Sequence, residues 1–280
     1  MSSESYKQAA DNGDIDAMFT YGLMLDKGDG VEVNKKEAAK YYKMAADKGN
    51  AKSMFNYALI FFQGNGVQTD KKEAAKYFKM AADSGNSKAM FIYGLMVDQG
   101  DGIDIDKESA ARYYKMAANN GYEDAYINYA LMVDQGDGIP VNKREAAKYY
   151  KKAADTGNDN AMYNLALMLD TGDGIAVNKS AAARYYKKAA DKGNEKAMYN
   201  LAVCYDKGDG VQVNKKAAAY FYKMAAEKGH KRSMHNYAVM LQTGDGIEVD
   251  EELAEKYLQM EKDIDSSNSP QPQSKCCLLI

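Results

Sequence analysis

One glycine recurs with no slip in register. Gly28, Gly64, Gly100, Gly136, Gly172, Gly208 and Gly244 stand 36 residues apart, all but one of them opening a Gly-Asp-Gly turn. A fixed period of this length describes units too small to bury their own apolar faces, which must therefore stack on one another. The chain is read as an array of seven such units.

The unit "NAMYNLALMLDTGDGIAVNKSAAARYYKKAADKGN" shows how each copy is built. A first helix runs from about Asn160 to Asp170, and Gly172 caps it, because a glycine just past a helix end takes the left-handed conformation at little steric cost. A second helix follows, with the N-cap column Asn34, Asp70, Asp106, Asn142, Asn178, Asn214 and Asp250, whose side chains accept the unpaired amides of the first turn. Glu37, Glu73 and Glu145, three residues on, predict capping boxes. Ala38, Tyr41, Tyr42, Ala45 and Ala46 form a stripe of small and aromatic residues at helical spacing, which reads as core rather than as a platform for bases. The methionine columns at Met18, Met24 and Met44 read as gap-fillers of a repetitive core.

These residues, above all the first-helix "YNLALM", the turn "GDGI" and the second-helix "AAARYYKKAADKGN", closely resemble the Sel-one-like repeat (SLR) family, a relative of the tetratricopeptide repeats. The resemblance implies an all-α, right-handed α-solenoid of seven 36-residue helix-turn-helix repeats, whose first helices line a concave inner face. Residues 1–13 match only the end of a second helix and read as a partial N-terminal cap, residues 14–262 as the solenoid and residues 263–280 as a tail. Glu261 and Lys262 replace the alanine pair of earlier second helices, as expected where nothing stacks beyond.

Composition narrows the function. The formal charge is −3 and lysines alternate with acids, so no basic field is available to neutralise a phosphate backbone, and nucleic acid is not an expected partner. The start, "MSSESYKQAADNGD", lacks the basic segment and apolar core of a signal peptide, and no stretch approaches the length of a membrane span, so a cytosolic protein is expected. Cys204 stands alone within the repeats and forms no disulfide framework.

Chemistry finds little foothold. The glycine turns follow helices and lack the third glycine of a dinucleotide fingerprint, and Gly28 and Gly30 occupy ligand positions of any calcium loop. His230 and His235 lie five residues apart, on different sides of a helix, and suit zinc poorly. His230 takes the place of Asn158 and His235 that of Tyr163, so both read as drift within the repeat, and Cys204 takes the place of Met168 and reads as a buried thiol. No catalytic, metal or cofactor-binding residue is assigned. A repeat-type, β-lactamase-like hydrolase is the alternative raised by bacterial members of the family, but those carry a disulfide in each repeat.

With Met18, Tyr21, Gly22 and Leu25 defining the core side of the first helix, positions 16, 20, 23 and 27 lie opposite. Position 20 becomes Asn56, Asn128, Asn164, Asn200 and Asn236 in later copies. This amide column, flanked by aliphatic residues, is the expected protein-binding groove for an extended peptide backbone. The competing reading is that the amides bond only to neighbouring repeats.

The tail, "DIDSSNSPQPQS", is too polar to bury a core, and it ends in Cys277-Leu278-Leu279-Ile280, a fit to the C-a-a-X prenylation signal, with Cys276 placed as a second lipidation site. An unlipidated tail docked on the last helix is the alternative. The combined expectation is a noncatalytic adaptor that binds protein partners through its groove and is tethered to the cytosolic face of a membrane. Prenylated members of the family among fungal regulators of chitin synthase extend that expectation to regulation of a membrane enzyme, and a soluble, unlipidated adaptor remains open beside it.

Overall fold

The structure, a computed structural model, describes residues 2–267; the proposed lipidation sites Cys276 and Cys277 lie outside the described residues. Among the described residues the regular structure is helical throughout. A single helix, α1 (Ser3–Asp11), precedes seven helix pairs: α2 (Ile15–Lys27) with α3 (Lys35–Asp47), α4 (Ala51–Gln63) with α5 (Lys71–Asp83), α6 (Ser87–Gln99) with α7 (Lys107–Asn119), and α8 (Asp124–Gln135) with α9 (Lys143–Asp155). Then come α10 (Asp159–Thr171) with α11 (Lys179–Asp191), α12 (Glu195–Lys207) with α13 (Lys215–Glu227), and α14 (Lys231–Thr243) with α15 (Glu251–Ser267). The chain forms two compact units, residues 1–152 and 153–280, divided within α9. In the first, α1 to α8 pack in succession; in the second, α10 to α15 do the same.

The predicted helix ends are present. Gly172 caps α10 with φ 79°, and its amide donates to the Met168 carbonyl; a Cβ there would meet the Val177 side chain at 2.7 Å. Each second helix is capped as expected, for example by Asn34 Oδ1 accepting from the Glu37 amide at 3.0 Å and by Asp250 Oδ1 accepting from Leu253 at 2.9 Å. The capping boxes do not close in the usual way. The Asn34 amide N–H donates instead to the Leu25 carbonyl at 2.9 Å, so the Glu37 carboxylate accepts from the Asn34 side chain at 3.2 Å. Glu145, in the same position, accepts from the Tyr129 hydroxyl at 2.9 Å and pairs with Lys115 at the same distance. The turn had already used the donor that a capping box needs.

Alanine and tyrosine make the core. In α3, α5 and α7 the paired alanines and both aromatic positions are buried, and the small residues let helices approach closely enough for rings to fill the space between. Burial of each such ring is worth roughly 1.5–3 kcal/mol, which outweighs the partly exposed ion pairs that accompany it, at about 0–1 kcal/mol each. Those pairs are nonetheless periodic. Lys107 bridges Asp98 of its own repeat at 2.6 Å and Asp137 of the next at 3.1 Å, and Lys215 bridges Asp206 and Asp245 in the same manner.

The two ring columns are tied differently. Hydroxyls of the first column reach the end of the preceding second helix: Tyr41 donates to Asp11 at 2.8 Å, Tyr77 to Asp47 at 3.0 Å and Tyr113 to Asp83 at 2.8 Å. Those of the second column face an aspartate of their own repeat's first helix, as in Tyr114 to Asp98 at 3.2 Å and Tyr150 to Asp134 at 3.0 Å. The second repeat departs from this. Where the aspartate would stand it has Phe62, where the tyrosine would stand it has Phe78, and the position-20 asparagine of the following helix is Ile92. Phe62 and Phe78 pack ring to ring at 5.9 Å, and the Lys71 ammonium, lacking its usual aspartate, lies 5.5 Å from the centre of the Phe62 ring. Polar partners have been exchanged together for apolar ones, so position 78 has no hydroxyl that needs a partner.

That reading gives a measurable coupling. Phe78→Tyr should destabilise by about 1–3 kcal/mol, the cost of an unpartnered buried hydroxyl. Adding Phe62→Asp and Ile92→Asn should recover most of the loss in urea unfolding, whereas additive losses would show that the three positions are independent.

Candidate functional site on the first-helix face

The stripe opposite the core side of the first helices is open at its ends and half-buried in its middle. Positions equivalent to 16 and 27 are exposed at the two ends of each stripe, and those equivalent to 20 and 23 are half-buried between them, except where Leu167 and Val239 rise to 39% and 41% exposure. The middle of the stripe is therefore a row of asparagines beside a row of aliphatic residues. In the first unit Leu59, Ile92 and Leu95 line a cavity of about 190 Å³ together with Phe62, and Asn128 shares one of about 130 Å³ with Asp98, Tyr114 and Leu131. In the second unit a cavity of about 470 Å³ is walled by Tyr163, Tyr199, Asn200 and His230, with Lys196 and Arg232 at its rim.

All five asparagines of the predicted groove, Asn56, Asn128, Asn164, Asn200 and Asn236, are half-buried where the sequence pointed to an open face. Three of them act on buried tyrosines. Burial pushes the Tyr42 hydroxyl well above its ordinary value, with Asp26 adding to the rise and the Asn56 amide opposing it. Tyr186 is raised by burial and Asp170 and eased by Asn200, which also eases Tyr163, while Tyr222 is pushed up to about 12 by burial against the pull of Asn236. Tyr42 Oη and Tyr186 Oη are buried without a hydrogen bond of good geometry, so the amides act on them as loose polar neighbours. An amide has two N–H donors and an oxygen, and one tyrosine does not exhaust them.

Sequence reasoning passed over His230 as repeat drift. In the structure it is the N-cap of α14: its Nδ1 accepts from the Ser233 amide at 3.3 Å and pairs with Ser233 Oγ at 2.9 Å, and its ring lies 4.7 Å from that of Tyr199. Its substitution for the asparagine of other caps was the available signal. Burial holds its pKa below the ordinary 6.5, with Lys196 and Arg232 depressing it further and Glu195 working against them. His235 is exposed and lies 3.2 Å from Glu261, the residue that marks the end of the repeat pattern. Cys204 is buried and its thiol is pushed up to about 11, chiefly by burial, with Asp170 and Asp209 contributing.

The depressed His230 value sets a pH dependence. Above the ordinary 6.5 the imidazole is neutral in folded and unfolded chains alike, and the cap is intact. As pH falls through 6.5 the unfolded chain takes up its proton first, so stability declines until the lower folded value is reached. His230→Asn, which installs the cap used by Asn158 and Asn194, should remove that decline. Thermal melts at pH 5 and pH 7 measure it; the effect should stay under about 1 kcal/mol, because the ring is only half-buried.

The Sel1 repeat family is matched seven times, over residues 15–50, 51–86, 87–122, 123–158, 159–194, 195–230 and 231–260. Among solved structures, a protective antigen of uropathogenic Escherichia coli displaying an SLR fold is 25% identical with a TM-score of 0.77, covering 95% of this chain. This chain spans 57% of that antigen's length. A Sel1 repeat protein from Oxalobacter formigenes is 31% identical with a TM-score of 0.56, covering 76% of this chain and 85% of the other. No curated protein matches the chain. With all seven helix pairs accounted for, the chain is an all-α solenoid that belongs to the Sel1 repeat family.

Proposed function

We propose that this chain is a noncatalytic adaptor that holds an extended segment of a partner protein along the first-helix face of its repeats. Sel1 repeat proteins are in general scaffolds for protein interaction. The observation that carries the reading here is the half-buried row of amides beside half-buried and exposed aliphatic residues. Within each unit the asparagines, Asn56 and Asn128 in the first and Asn164, Asn200 and Asn236 in the second, would offer their remaining hydrogen-bonding capacity to a peptide backbone, and in the second unit Leu167 and Val239 would take its apolar side chains. A hydrolase would need an activated nucleophile, and burial drives the Cys204 thiol in the opposite direction.

The C-terminal Cys277, with Cys276 beside it, is proposed as a lipid tether that brings the adaptor to the cytosolic face of a membrane, where a membrane enzyme is one candidate for its regulation. A single lipid chain binds reversibly, so stable attachment calls for both cysteines. The last stretch of the chain carries Lys275 as its sole base after Lys262, which is too little for an electrostatic second signal.

Two experiments test these readings separately. Leu167→Glu with Val239→Glu should reduce partner capture from lysate by about tenfold or more, as for truncation of apolar anchors at an interface, with an unchanged melting temperature. Capture at the wild-type level would place the partner elsewhere. Mass spectrometry of the intact protein from cells competent to prenylate should show a lipid on Cys277 and removal of the last three residues; an unmodified terminus at Ile280 would defeat the tether.

A further inference from the structure

The fifth and sixth repeats depart from the pattern at several positions, and in the second unit the departures converge on the second-helix side. In the first four repeats a first-helix tyrosine packs against the first aromatic residue of the following helix, at centroid distances of 4.8 Å for Tyr21–Tyr41, 4.5 Å for Tyr57–Tyr77 and 4.7 Å for Tyr93–Tyr113 and Tyr129–Tyr149. In α10 and α12 that tyrosine is Leu165 and Leu201. Leucine does not cover what a ring covers, and Tyr185 and Phe221 stand half-buried where Tyr41, Tyr77, Tyr113 and Tyr149 are buried.

Two substitutions then build on the uncovered ring. Tyr205 occupies a column that is aliphatic in the other repeats except for Phe61, and stacks on Phe221 at 5.9 Å with the planes 6° apart. Tyr220 occupies a basic column, that of Lys40, Lys76, Arg112, Lys148 and Arg184; it is 58% exposed and meets the Phe221 ring nearly at right angles at 5.1 Å.

The charge around these rings shifts in step. The helices α3, α5, α7 and α9 each carry an acid in the first turn, and α11 and α13 carry none, because Ala181 and Ala217 stand where Glu37, Glu73 and Glu145 stood. The acids farther along, Asp191 and Glu227, pair with Lys187 at 3.0 Å and Lys223 at 3.8 Å. That leaves Arg184, Lys188 and Lys216 exposed, with no carboxylate within 4.0 Å among the described residues, although Lys188 lies 5.3 Å from the Tyr185 ring and α15 carries Glu251 and Glu252 in its first turn; Lys216 and Tyr220, four apart, share one helix face.

We propose that Tyr205, Tyr220 and Phe221, with the exposed Lys216 of α13 and the exposed Arg184 and Lys188 of α11 on the same second-helix side, form a second docking surface, for an acidic segment of a partner protein that seats an apolar side chain against the Tyr220 and Phe221 rings. Charge complementarity selects this occupant. A peptide can place carboxylates opposite the three cations that no carboxylate pairs and leave neutral residues opposite Asp191, Glu227, Glu251 and Glu252, whereas a nucleic acid strand brings a charge at every phosphate and meets those acids too. An exposed ring beside such cations is also the composition that carries binding energy at protein interfaces. This surface lies on the second-helix side and does not rest on the first-helix reading.

The test uses the full chain and a dye-labelled dodecapeptide with glutamates on both sides of a central Leu-Phe pair, followed by fluorescence anisotropy. Replacing its glutamates by glutamines should weaken binding about tenfold, and so should Arg184→Glu with Lys216→Glu in the protein. Tyr220→Ala, an exposed position in a helix, should weaken it about fivefold with no change in melting temperature. Leu167→Glu with Val239→Glu should bind the peptide as the wild type does. The proposal is overturned if the peptide does not bind, if Tyr220→Ala binds it undiminished, if the first-helix variant loses it, or if dodecathymidylate binds more tightly than the peptide.

Discussion

A buried tyrosine must place its hydroxyl, and much of this molecule is arranged around that requirement. Tyr42, Tyr114 and Tyr186 are fully buried in α3, α7 and α11, the second helices of the first, third and fifth repeats, and desolvation penalises each hydroxyl that finds no polar neighbour. The aspartate of the first helix in the same repeat and the asparagine of the first helix in the next supply those neighbours. One repeat is thereby tied to the next through a group that neither could bury alone. The second repeat shows the rule by its exception, since Phe62, Phe78 and Ile92 remove acceptor, hydroxyl and amide together.

This arrangement gives the amide column two duties. An asparagine that lies near a buried tyrosine hydroxyl from the half-buried floor of the first-helix face eases that hydroxyl's desolvation and keeps hydrogen-bonding capacity for a peptide. Periodic ion pairs such as Lys107 with Asp98 and Asp137 contribute register more than stability, because their side chains remain partly in water. The rigid part of each unit is therefore its alanine and tyrosine core, and the faces that it presents are free to vary.

A solenoid permits local variation because each repeat contacts chiefly its neighbours. Replacing a covering tyrosine with Leu201 exposes Phe221 without disturbing helices elsewhere, and Tyr205 and Tyr220 can then accumulate around it. His230 is another such local change: a cap that keeps its structural role while adding a titratable ring to a cavity wall. Each is visible only as a departure from the repeat, so the pattern serves as the internal reference against which surfaces are recognised.

By itself the sequence determined the number and length of the helices, their caps and the identity of the core columns, because period, glycine placement and residue size act locally. Gly172 had to be left-handed and Asn34 had to cap wherever the helices packed. Tertiary structure alone decided what those columns touch. The Glu37 carboxylate could not close a capping box because the turn had taken the Asn34 amide, and Asn56, Asn200 and Asn236 are half-buried because tyrosines from a neighbouring helix lie near them. A helical wheel assigns a direction to each side chain, but burial depends on the helix that arrives opposite, and that partner is set by packing between repeats.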